Sequence, residues 1–450
     1  MTEKEFSSAF RRGLGSAIVE IKNTKDKSKY YEIVLRYCLR NIAYDWQCEG
    51  TKGDYLHYAI CFLDEEKSFE PIIIDRFLSQ CPHLLFIQLS RILYLYAVNG
   101  SAAAKEAFLK KYDYFVLKSG RFSQYACEPL QWDDVVSVLF RLWGFRVFKK
   151  YLQDLGECLR KKPGDIYAFC DWDWIILLAN KAFGEKRVGK YINEMYDKSS
   201  NVKIIVDTVR ENQLSKEQNE VNNEKTTADE LIAVAKKAAS LEYPRSKVIR
   251  YRRWVIAGAS EAEIMKLADE ALAEPDKTVK ALLLLMFKYK RVFPRDISHL
   301  IEYAWSDNEL LSETAIECLG NFKDKRIHEL AVQLLNERGL KSTALGLLRK
   351  NYRKSDDDLI YKLVKKPMTL PHFVPSDIAS IYRHNRSENA FPALYQAYKK
   401  GECSFCRASV VRAMQHCGVL SDKLLNECLY DSYDDTRMFA KRVMRNRDTR

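Results

Sequence analysis

Apolar positions in the N-terminal half of the chain recur every three or four residues, the spacing of amphipathic helices. Polar turns, often with Gly or Pro, separate the segments. Runs that alternate apolar and polar residues are few, and no Asn-Gly or Asp-Gly turn joins two of them. The pattern therefore predicts an all-α protein. The predicted helical segments of this half are residues 30–39, 55–63, 72–78, 84–98, 132–152 and 174–183.

One short helical pattern recurs seven times in the C-terminal half. Each copy has a basic or small polar residue, followed three positions later by a small or apolar residue. Successive copies are separated by 28, 32, 29, 35, 31 and 30 residues. A near-constant period of this size is typical of solenoids, in which each helical hairpin must stack on its neighbours. The pairs are Arg252/Val255, Lys280/Leu283, Ser312/Ala315, Lys341/Ala344, Ser376/Ala379, Arg407/Val410 and Arg437/Ala440.

Residues 311–335 form the most regular copy of this pattern. Apolar positions mark one helical face before a turn at residues 320–325 and a second face after it. The order of residues resembles the short, PBS-lyase-like HEAT repeats, which have Arg-x-x-Ala-x-x-x-Leu-Gly followed by Asp. The matching positions are Ala315, Leu319, Gly320 and Asp324, with Ser312 in the place of the arginine.

The resemblance to HEAT repeats covers residues 229–450, where the units at Arg407 and Arg437 keep the arginine. It implies an α-solenoid, a right-handed stack of helical hairpins, and it implies no chemistry, because such solenoids serve many roles. The N-terminal half is less regular. Its stretches Arg12-Gly-Leu-Gly15 and 43–50 resemble the opening of bacterial HEAT-repeat proteins of unassigned function, which implies a HEAT-like start to the whole chain.

Residues 211–227 divide the chain. This stretch, ENQLSKEQNEVNNEKTT, has two aliphatic residues and no aromatic one, so it cannot bury enough apolar surface to order itself. We therefore expect an N-terminal helical region over residues 1–210, a flexible linker or loop over 211–227 and a HEAT-like array over 228–450. Thr227 and Glu230 have the spacing of a capping box, which predicts that the array begins there.

Composition indicates a folded chain. Of 450 residues, 47% are hydrophobic and 30% are charged, which excludes wholesale disorder. The N-terminus lacks the apolar region of a secretory signal. The longest strongly apolar stretch, residues 281–287, is far shorter than the ~20 residues that span a bilayer. We therefore expect a cytoplasmic protein without a membrane partner, and the twelve cysteines are interpreted as buried hydrophobes in a reducing compartment.

The charge of the chain is concentrated near its C-terminus. The formal net charge is +12, and the last 110 residues hold 21 basic and 12 acidic residues, a net of +9. This asymmetry favours an acidic or phosphate-bearing partner for that region. A solvated surface explains the same count equally well.

Five of the seven first residues in the recurring pairs are cations, and the second helix of a HEAT-type hairpin lines the concave surface. Together with cations on adjacent turns they could form a basic groove, whose affinity for nucleic acid would be independent of sequence and strongly salt dependent. Alternatively, each cation pairs with an aspartate of the preceding loop, as Asp276, Asp434 and Asp435 would allow. The candidate groove residues are Arg250, Arg252, Arg253, Lys280, Lys341, Arg349, Arg383, Arg407, Arg412, Arg437 and Lys441.

Cys403 and Cys406, with His416, Cys417 and Cys428 after them, have a superficial likeness to a zinc site. These positions also fall at helical spacing on an apolar face. A zinc knuckle would have the first cysteine pair on a turn and a second pair at similar spacing. We therefore interpret them as buried helix cysteines and expect no metal.

Two polar and aromatic stretches have open interpretations. Residues 171–174, with the sequence Asp-Trp-Asp-Trp, are either a helix start with packed tryptophans or an aromatic and acidic pocket. Asp45, Gln47 and Glu49 could form a polar ligand site in the loop of residues 44–52. A loop closed by its glycines explains them as well.

No Walker A, GxGxxG, HExxH or GxSxG motif is present, and the seven histidines have no partner motif. The sequence therefore favours a non-catalytic scaffold, without a cofactor, whose concave surface holds a protein or an extended ligand. One alternative is a nucleic-acid-binding protein that uses the C-terminal cations. Another is an enzyme, by analogy with HEAT-like DNA glycosylases, which use a cationic groove, tryptophans and an acidic residue. The residues for that role are Arg252, Arg253 and Trp254, or Trp305 and Asp307.

Overall fold

The computed structural model describes residues 1–113, 129–161, 172–220, 226–288, 292–341 and 343–448. In these ranges the regular secondary structure is helical and contains no β-strand, which confirms the predicted all-α class. None of the described helices is long and apolar enough to cross a lipid bilayer. The chain divides into two compact units, which are Met1–Asn222 together with Glu427–Arg450, and Asn223–Asn426.

The N-terminal part of the first unit is a succession of helices joined mostly by short turns. They are α1 (Glu3–Arg12), α2 (Gly15–Asn23), α3 (Tyr31–Cys38), α4 (Trp46–Glu49), α5 (Gly53–Leu63), α6 (Glu66–Leu78), α7 (His83–Val98), α8 (Ala102–Asp113), α9 (Pro129–Trp143), α10 (Phe145–Lys161), α11 (Trp172–Phe183), α12 (Glu185–Tyr196) and α13 (Ser200–Glu220). Helix α7 packs between α5 and α9, and α6 packs on both α7 and α8. Helices two positions apart in the chain are thus neighbours in space.

Most of these helices lie where the sequence predicts them, but the structure differs from the prediction in two places. The predicted segment 132–152 is two helices, because Gly144 separates α9 from α10 with a φ of +73°, which glycine adopts without steric cost. Pro71 lies inside α6 instead of before it. As the sixth residue of α6, Pro71 has no N–H to donate to the carbonyl four residues earlier, so the helix lacks one hydrogen bond there. The other predicted segments correspond to α3, α5, α7 and α11.

The second unit is also a succession of helices. Its helices are α14 (Ala228–Ala238), α15 (Pro244–Val248), α16 (Arg252–Ala257), α17 (Glu261–Ala273), α18 (Lys277–Leu284), α19 (Ser298–Tyr303), α20 (Glu309–Leu319), α21 (Lys325–Arg338), α22 (Leu348–Asn351), α23 (Asp356–Lys365), α24 (Val374–Asn385), α25 (Phe391–Lys400) and α26 (Ser404–His416). Helix α18 packs on α20, α24 on α26, and α23 on α25. The Thr227 hydroxyl accepts a hydrogen bond from the Glu230 N–H, which confirms the predicted start of α14.

The boundary between the two units lies within α27 (Asp422–Cys428), and the C-terminal segment, residues 427–450, belongs to the first unit. It ends in α28 (Asp434–Asp448). The Ser432 N–H donates to the Gly13 carbonyl at 2.9 Å, and Lys22 Nζ donates to the Tyr430 hydroxyl at 3.0 Å. Glycine permits this approach, since a Cβ at Gly15 would lie 1.8 Å from a main-chain carbonyl oxygen of the segment.

The predicted domain boundaries therefore differ from the compact units. Helix α13 continues to Glu220, so residues 211–220 of the predicted linker are helical. The second unit ends at Asn426, whereas the sequence suggested an array that continues to residue 450. Composition gave no sign of this second difference, because the contacts that attach the C-terminal segment join residues as far as 408 positions apart.

The recurring pairs mark core positions of the helices. The second residue of every pair is buried, with no more than 1% of its surface exposed. Each lies in a helical segment, and small side chains here let neighbouring helices approach closely. The segments are α16, α18, α20, the 3₁₀ turn Thr343–Leu347, α24, α26 and α28.

Candidate functional site

The arginines of the last two recurring pairs hold the turns that precede their own helices. Arg407 is fully buried, and its Nη1 donates to the carbonyls of the residues five and six positions earlier, both at 3.1 Å. Arg437 is 7% exposed and binds the equivalent carbonyls at 2.9 and 2.7 Å. Because both guanidinium groups are directed into the turns, neither lines a groove for phosphate. This corrects the prediction for Arg407 and Arg437.

The alternative prediction is that each cation pairs with a loop aspartate. Of two such pairs, Arg437 with Asp434 and Lys280 with Asp276, only the first is present among the described residues. Arg437 Nη2 contacts Asp434 at 2.8 Å. Lys280 donates to a main-chain carbonyl at 3.4 Å and to the Tyr303 hydroxyl at 3.1 Å. Asp276 instead caps α18 through the N–H groups of its first turn. In all three residues, Arg407, Arg437 and Lys280, the side chain binds main-chain oxygens of the segment that precedes its helix.

The other candidate cations differ in exposure. Lys280 and Arg412 are half-buried, and the side chain of Lys341 lies outside the described part of the structure. The exposed candidates of the second unit lie around the start of α16 and on α22 and α24. The exposed candidates are Arg250, Arg252, Arg253, Arg349 and Arg383, together with Lys441 on α28 of the first unit.

Asp377, in the first turn of α24, lies near Arg349. Burial raises the pKa of Asp377 to about 7, and the positive charge of Arg349 opposes this rise. The folded protein therefore keeps a proton on this carboxyl at pH values where the unfolded chain has lost it, so stability falls with rising pH. This loss begins near the unfolded pKa of 3.8 and is complete above about 7.

We expect the Asp377→Asn variant to gain stability relative to the wild type as the pH rises. Between the two pKa values the difference should grow by up to about 1.4 kcal/mol per pH unit. Urea unfolding of both proteins at pH 5 and pH 8 measures this difference. An equal difference at the two pH values would show that Asp377 ionises normally in the folded protein.

Helices α7 and α9 of the first unit bring an aromatic ring and two cations together, and α5, which packs on α7, carries a further tyrosine. Tyr58 on α5 is 42% exposed. The ring of Tyr94 on α7 lies between two guanidinium groups, with its centroid 5.3 Å from Arg91 and 5.7 Å from Arg141 of α9. We call these four residues the tyrosine–arginine cluster.

Packing and an ion pair fix the geometry of this cluster. Arg91 forms two hydrogen bonds with the Asp54 carboxylate, Nε to Oδ2 at 2.8 Å and Nη2 to Oδ1 at 2.7 Å, and this contact raises the pKa of Arg91. A Cβ at Gly53 would lie 2.5 Å from the Arg91 Cβ, so α5 and α7 meet closely here. The Arg437 guanidinium is 5.9 Å from the Tyr58 ring. Arg91 and Tyr94 are thus held by contacts within the protein.

The sequence did not identify this cluster. The spacing of Asp54 and Tyr58, and of Arg91 and Tyr94, places each pair on one side of its helix. That signal is common on helix surfaces. The cluster becomes visible only when tertiary packing sets three helices side by side.

The loop of residues 44–52 is closed by a buried ion pair. Lys52 Nζ lies 3.6 Å from Glu49 Oε1, and both side chains are at most 1% exposed. The Glu49 carboxylate also accepts from two loop N–H groups, while Lys52 donates to the carbonyls of Arg12 and Ile42 at 3.3 and 3.0 Å. Glu49 therefore closes the loop and is not available to an external ligand.

Cys61 and His57, one helical turn apart on α5, are within reach of each other beside a cavity of about 680 Å³. The Cys61 sulfur lies 3.5 Å from His57 Nδ1. Burial and the charge of Glu66 raise the pKa of Cys61 to about 12, and burial lowers the pKa of His57. The thiol therefore stays protonated at neutral pH, which does not suit nucleophilic catalysis.

Trp305 and Asp307 are one of the two residue sets suggested for a glycosylase, and Asp307 lines an acidic cavity. Asp307 is an exposed partner of Lys277, whose hydrogen bond lowers the pKa of the carboxyl and makes it a weak base. The Trp305 ring is covered by Arg338 at 5.2 Å. The cavity beside them, of about 640 Å³, is lined by four carboxylates and only one arginine, and it would repel a phosphate backbone.

Cys403 and Cys406 meet a histidine that the sequence did not connect with them. Cys403 is the N-cap of α26, with extended φ and ψ of −77° and 121°, so it lies just outside the helix in the loop before it. The ring of His372, from the turn before α24, approaches both sulfurs, and the three ligand atoms lie within 4.8 Å of one another. The donors suggested by sequence bind elsewhere: His416 accepts from an arginine and Cys417 donates to a main-chain carbonyl.

The Asp-Trp-Asp-Trp stretch is described only in part. Asp171 lies outside the described residues, and α11 begins at Trp172. Trp172 is buried and Trp174 is 47% exposed, so one ring packs against the protein and the other faces solvent. The helix-start interpretation fits the described part.

No protein-family model, curated protein or solved structure matches the chain. The HEAT resemblance therefore remains a prediction from the residues themselves.

Proposed function

We propose that the protein is a non-catalytic scaffold that holds a segment of a partner protein on the surface formed by α5, α7 and α9. The observation that carries this proposal is the tyrosine–arginine cluster. Tyrosine and arginine are enriched among the side chains that dominate protein–protein binding energies. Here they are exposed or half-buried. Asp54 binds Arg91, the Tyr94 ring contacts Arg91 and Arg141, and Arg437 lies beside the Tyr58 ring.

A stack of helical hairpins is the arrangement that best accounts for this surface. In each unit, helices two positions apart pack on one another, as α5 does on α7 and α18 on α20. The second residues of the seven recurring pairs are buried at intervals of about 30 residues, which a HEAT-like solenoid requires. In such a stack the inner helices together present a continuous binding surface.

The chemistry of the cluster favours a protein over a phosphate backbone. Arg91 is already neutralised by Asp54. Arg437, which lies beside the Tyr58 ring outside the cluster, donates to carbonyls and to Asp434. Arg141 is the exposed cation of the cluster. A partner segment with one acidic side chain for Arg141 and apolar groups for the two tyrosine rings would fit this surface.

Exposed cations of the second unit support a different candidate, nucleic-acid binding. Arg252 and Arg253 begin α16, and Arg349 and Arg383 lie on α22 and α24. Such cations would give a sequence-independent affinity that falls steeply with salt. The burial of Arg407 and Arg437 removes two of the cations on which a continuous basic groove depended.

We expect the double variant Tyr58→Ala, Tyr94→Ala to lose its protein partner. Two interface tyrosines truncated to alanine should weaken binding by at least about 2 kcal/mol, or about 30-fold. The measurement is co-purification from nuclease-treated cell extract, followed by titration of the purified partner. Tyr243→Ala is the matched control, because Tyr243 is 71% exposed and lies in the second unit.

Two results would contradict this proposal. One is equal recovery of every partner by the wild type and the double variant. The other is loss of all partners after nuclease treatment, with salt-dependent retention on duplex DNA that disappears in the Arg252→Glu, Arg253→Glu variant. That second result would establish the nucleic-acid function, because these arginines lie in the second unit, outside the tyrosine–arginine cluster.

A further inference from the structure

We propose that His372, Cys403 and Cys406 form a binding site for Zn²⁺. Their ligand atoms, one imidazole nitrogen and two sulfurs, lie within 4.8 Å of one another. Zinc–sulfur bonds of about 2.3 Å at tetrahedral angles place two sulfurs about 3.7 Å apart. The three side chains therefore need to contract by only about 1 Å around an ion.

The main chain arranges the two cysteines as a zinc ligand pair. Cys403 precedes α26 as its N-cap and Cys406 lies in the first helical turn, so both sulfurs point to the same end of the helix. The spacing Cys-x-x-Cys is the one that zinc sites commonly use. His372 completes the set from the turn before α24, a helix that packs along α26.

Buried contacts hold the turn that carries Cys403. The Arg407 guanidinium donates to the carbonyls of Gly401 and Glu402, directly before the cysteine. A Cβ at Gly401 would lie 3.3 Å from Pro375 in the first turn of α24. The turn is thus packed against the same end of α24 that bears His372, and the ligands are held in place by ordered structure.

The donor set selects the metal. Two thiolates and an imidazole are soft and intermediate ligands, which suit Zn²⁺ and not Mg²⁺ or Ca²⁺. Cys403 and Cys406 are 2% and 5% exposed, whereas His372 is half-buried, so the ion would enter from the histidine side. Water would occupy the fourth position. The ion would link the turn before α24 to the start of α26 and so tie two hairpins together.

Titration of the reduced, metal-free full-length protein with Co²⁺ tests this proposal, since Co²⁺ takes the place of Zn²⁺ and reports its ligands by absorption. We expect one equivalent with a thiolate-to-metal charge-transfer band and the intense visible bands of a tetrahedral ion, both removed by added Zn²⁺. Cys403→Ser and Cys406→Ser should lose the charge-transfer band. His372→Ala should weaken Zn²⁺ binding at least about tenfold.

The control is Cys417→Ala, which changes a half-buried cysteine at the other end of the same helix and should bind Co²⁺ as the wild type does. Circular dichroism checks that each variant is folded. His372 lies on a turn, so its variant tests the site even if a cysteine variant unfolds. The proposal is wrong if the folded, reduced wild type shows no cobalt–thiolate band, or if the band persists unchanged in folded Cys403→Ser or His372→Ala protein.

Discussion

Replacing Lys52 by methionine should destabilise the first unit by about 3–5 kcal/mol, because it leaves the Glu49 carboxylate buried without its cation. The loss also frees the carbonyls of Arg12 and Ile42, to which the ammonium group donates. Urea unfolding at neutral pH would measure the change in the free energy of unfolding. A second substitution, Glu49→Gln, should restore part of the lost stability by removing the buried charge.

The matched control is Lys27→Met, which breaks an ion pair with Asp64 of shorter length, 2.8 Å, at the surface. The Asp64 side chain is 79% exposed, so this change should cost less than about 1 kcal/mol. If the two lysine variants are equally stable, burial of the Lys52–Glu49 pair does not determine the stability of the loop.

Gly15→Ala should also be strongly destabilising, by about 1–3 kcal/mol, although alanine favours helices. The added Cβ would lie 1.8 Å from the Glu427 carbonyl oxygen, so α2 and the C-terminal segment would have to separate. We therefore expect increased hydrogen exchange in α28 as well as a lower midpoint of chemical unfolding. Both measurements are made on the full-length protein.

Gly189→Ala provides the opposite case within the same unit. Gly189 lies inside α12, and a Cβ there would meet nothing within 4 Å. Alanine should therefore stabilise the protein by about 0.5–1 kcal/mol through its helix propensity alone. Similar effects of the two substitutions on α28 exchange would mean that the C-terminal segment does not depend on close contact at Gly15.

The two candidate binding features can be tested independently of each other. The tyrosine–arginine cluster lies in the first unit, and the His372, Cys403 and Cys406 site lies in the second. Loss of partner binding in the tyrosine variants with normal Co²⁺ binding would support the scaffold independently of the metal. If the tyrosine variants keep their partner and bind Co²⁺ normally, the metal site is supported and the partner must bind another surface of the protein.

The sequence by itself determined the helical class, most helix positions and the buried residues of the seven recurring pairs. These features follow from local periodicity, and each second residue of a pair is buried as its spacing predicts. The start of α14 was predictable for the same reason, because Thr227 needs only the N–H group three residues later.

Only the tertiary structure decided where the functional side chains point and which distant residues meet. The sequence around Arg407 and Arg437 does not distinguish them from surface arginines. In the structure, both are buried because their guanidinium groups donate to carbonyls of the preceding turn. His372 joins Cys403 because α24 and α26 pack together, and residues 427–450 join the first unit across most of the chain length. Periodicity records which face of a helix is apolar. It does not record which other segment covers that face, since this depends on packing between residues far apart in sequence.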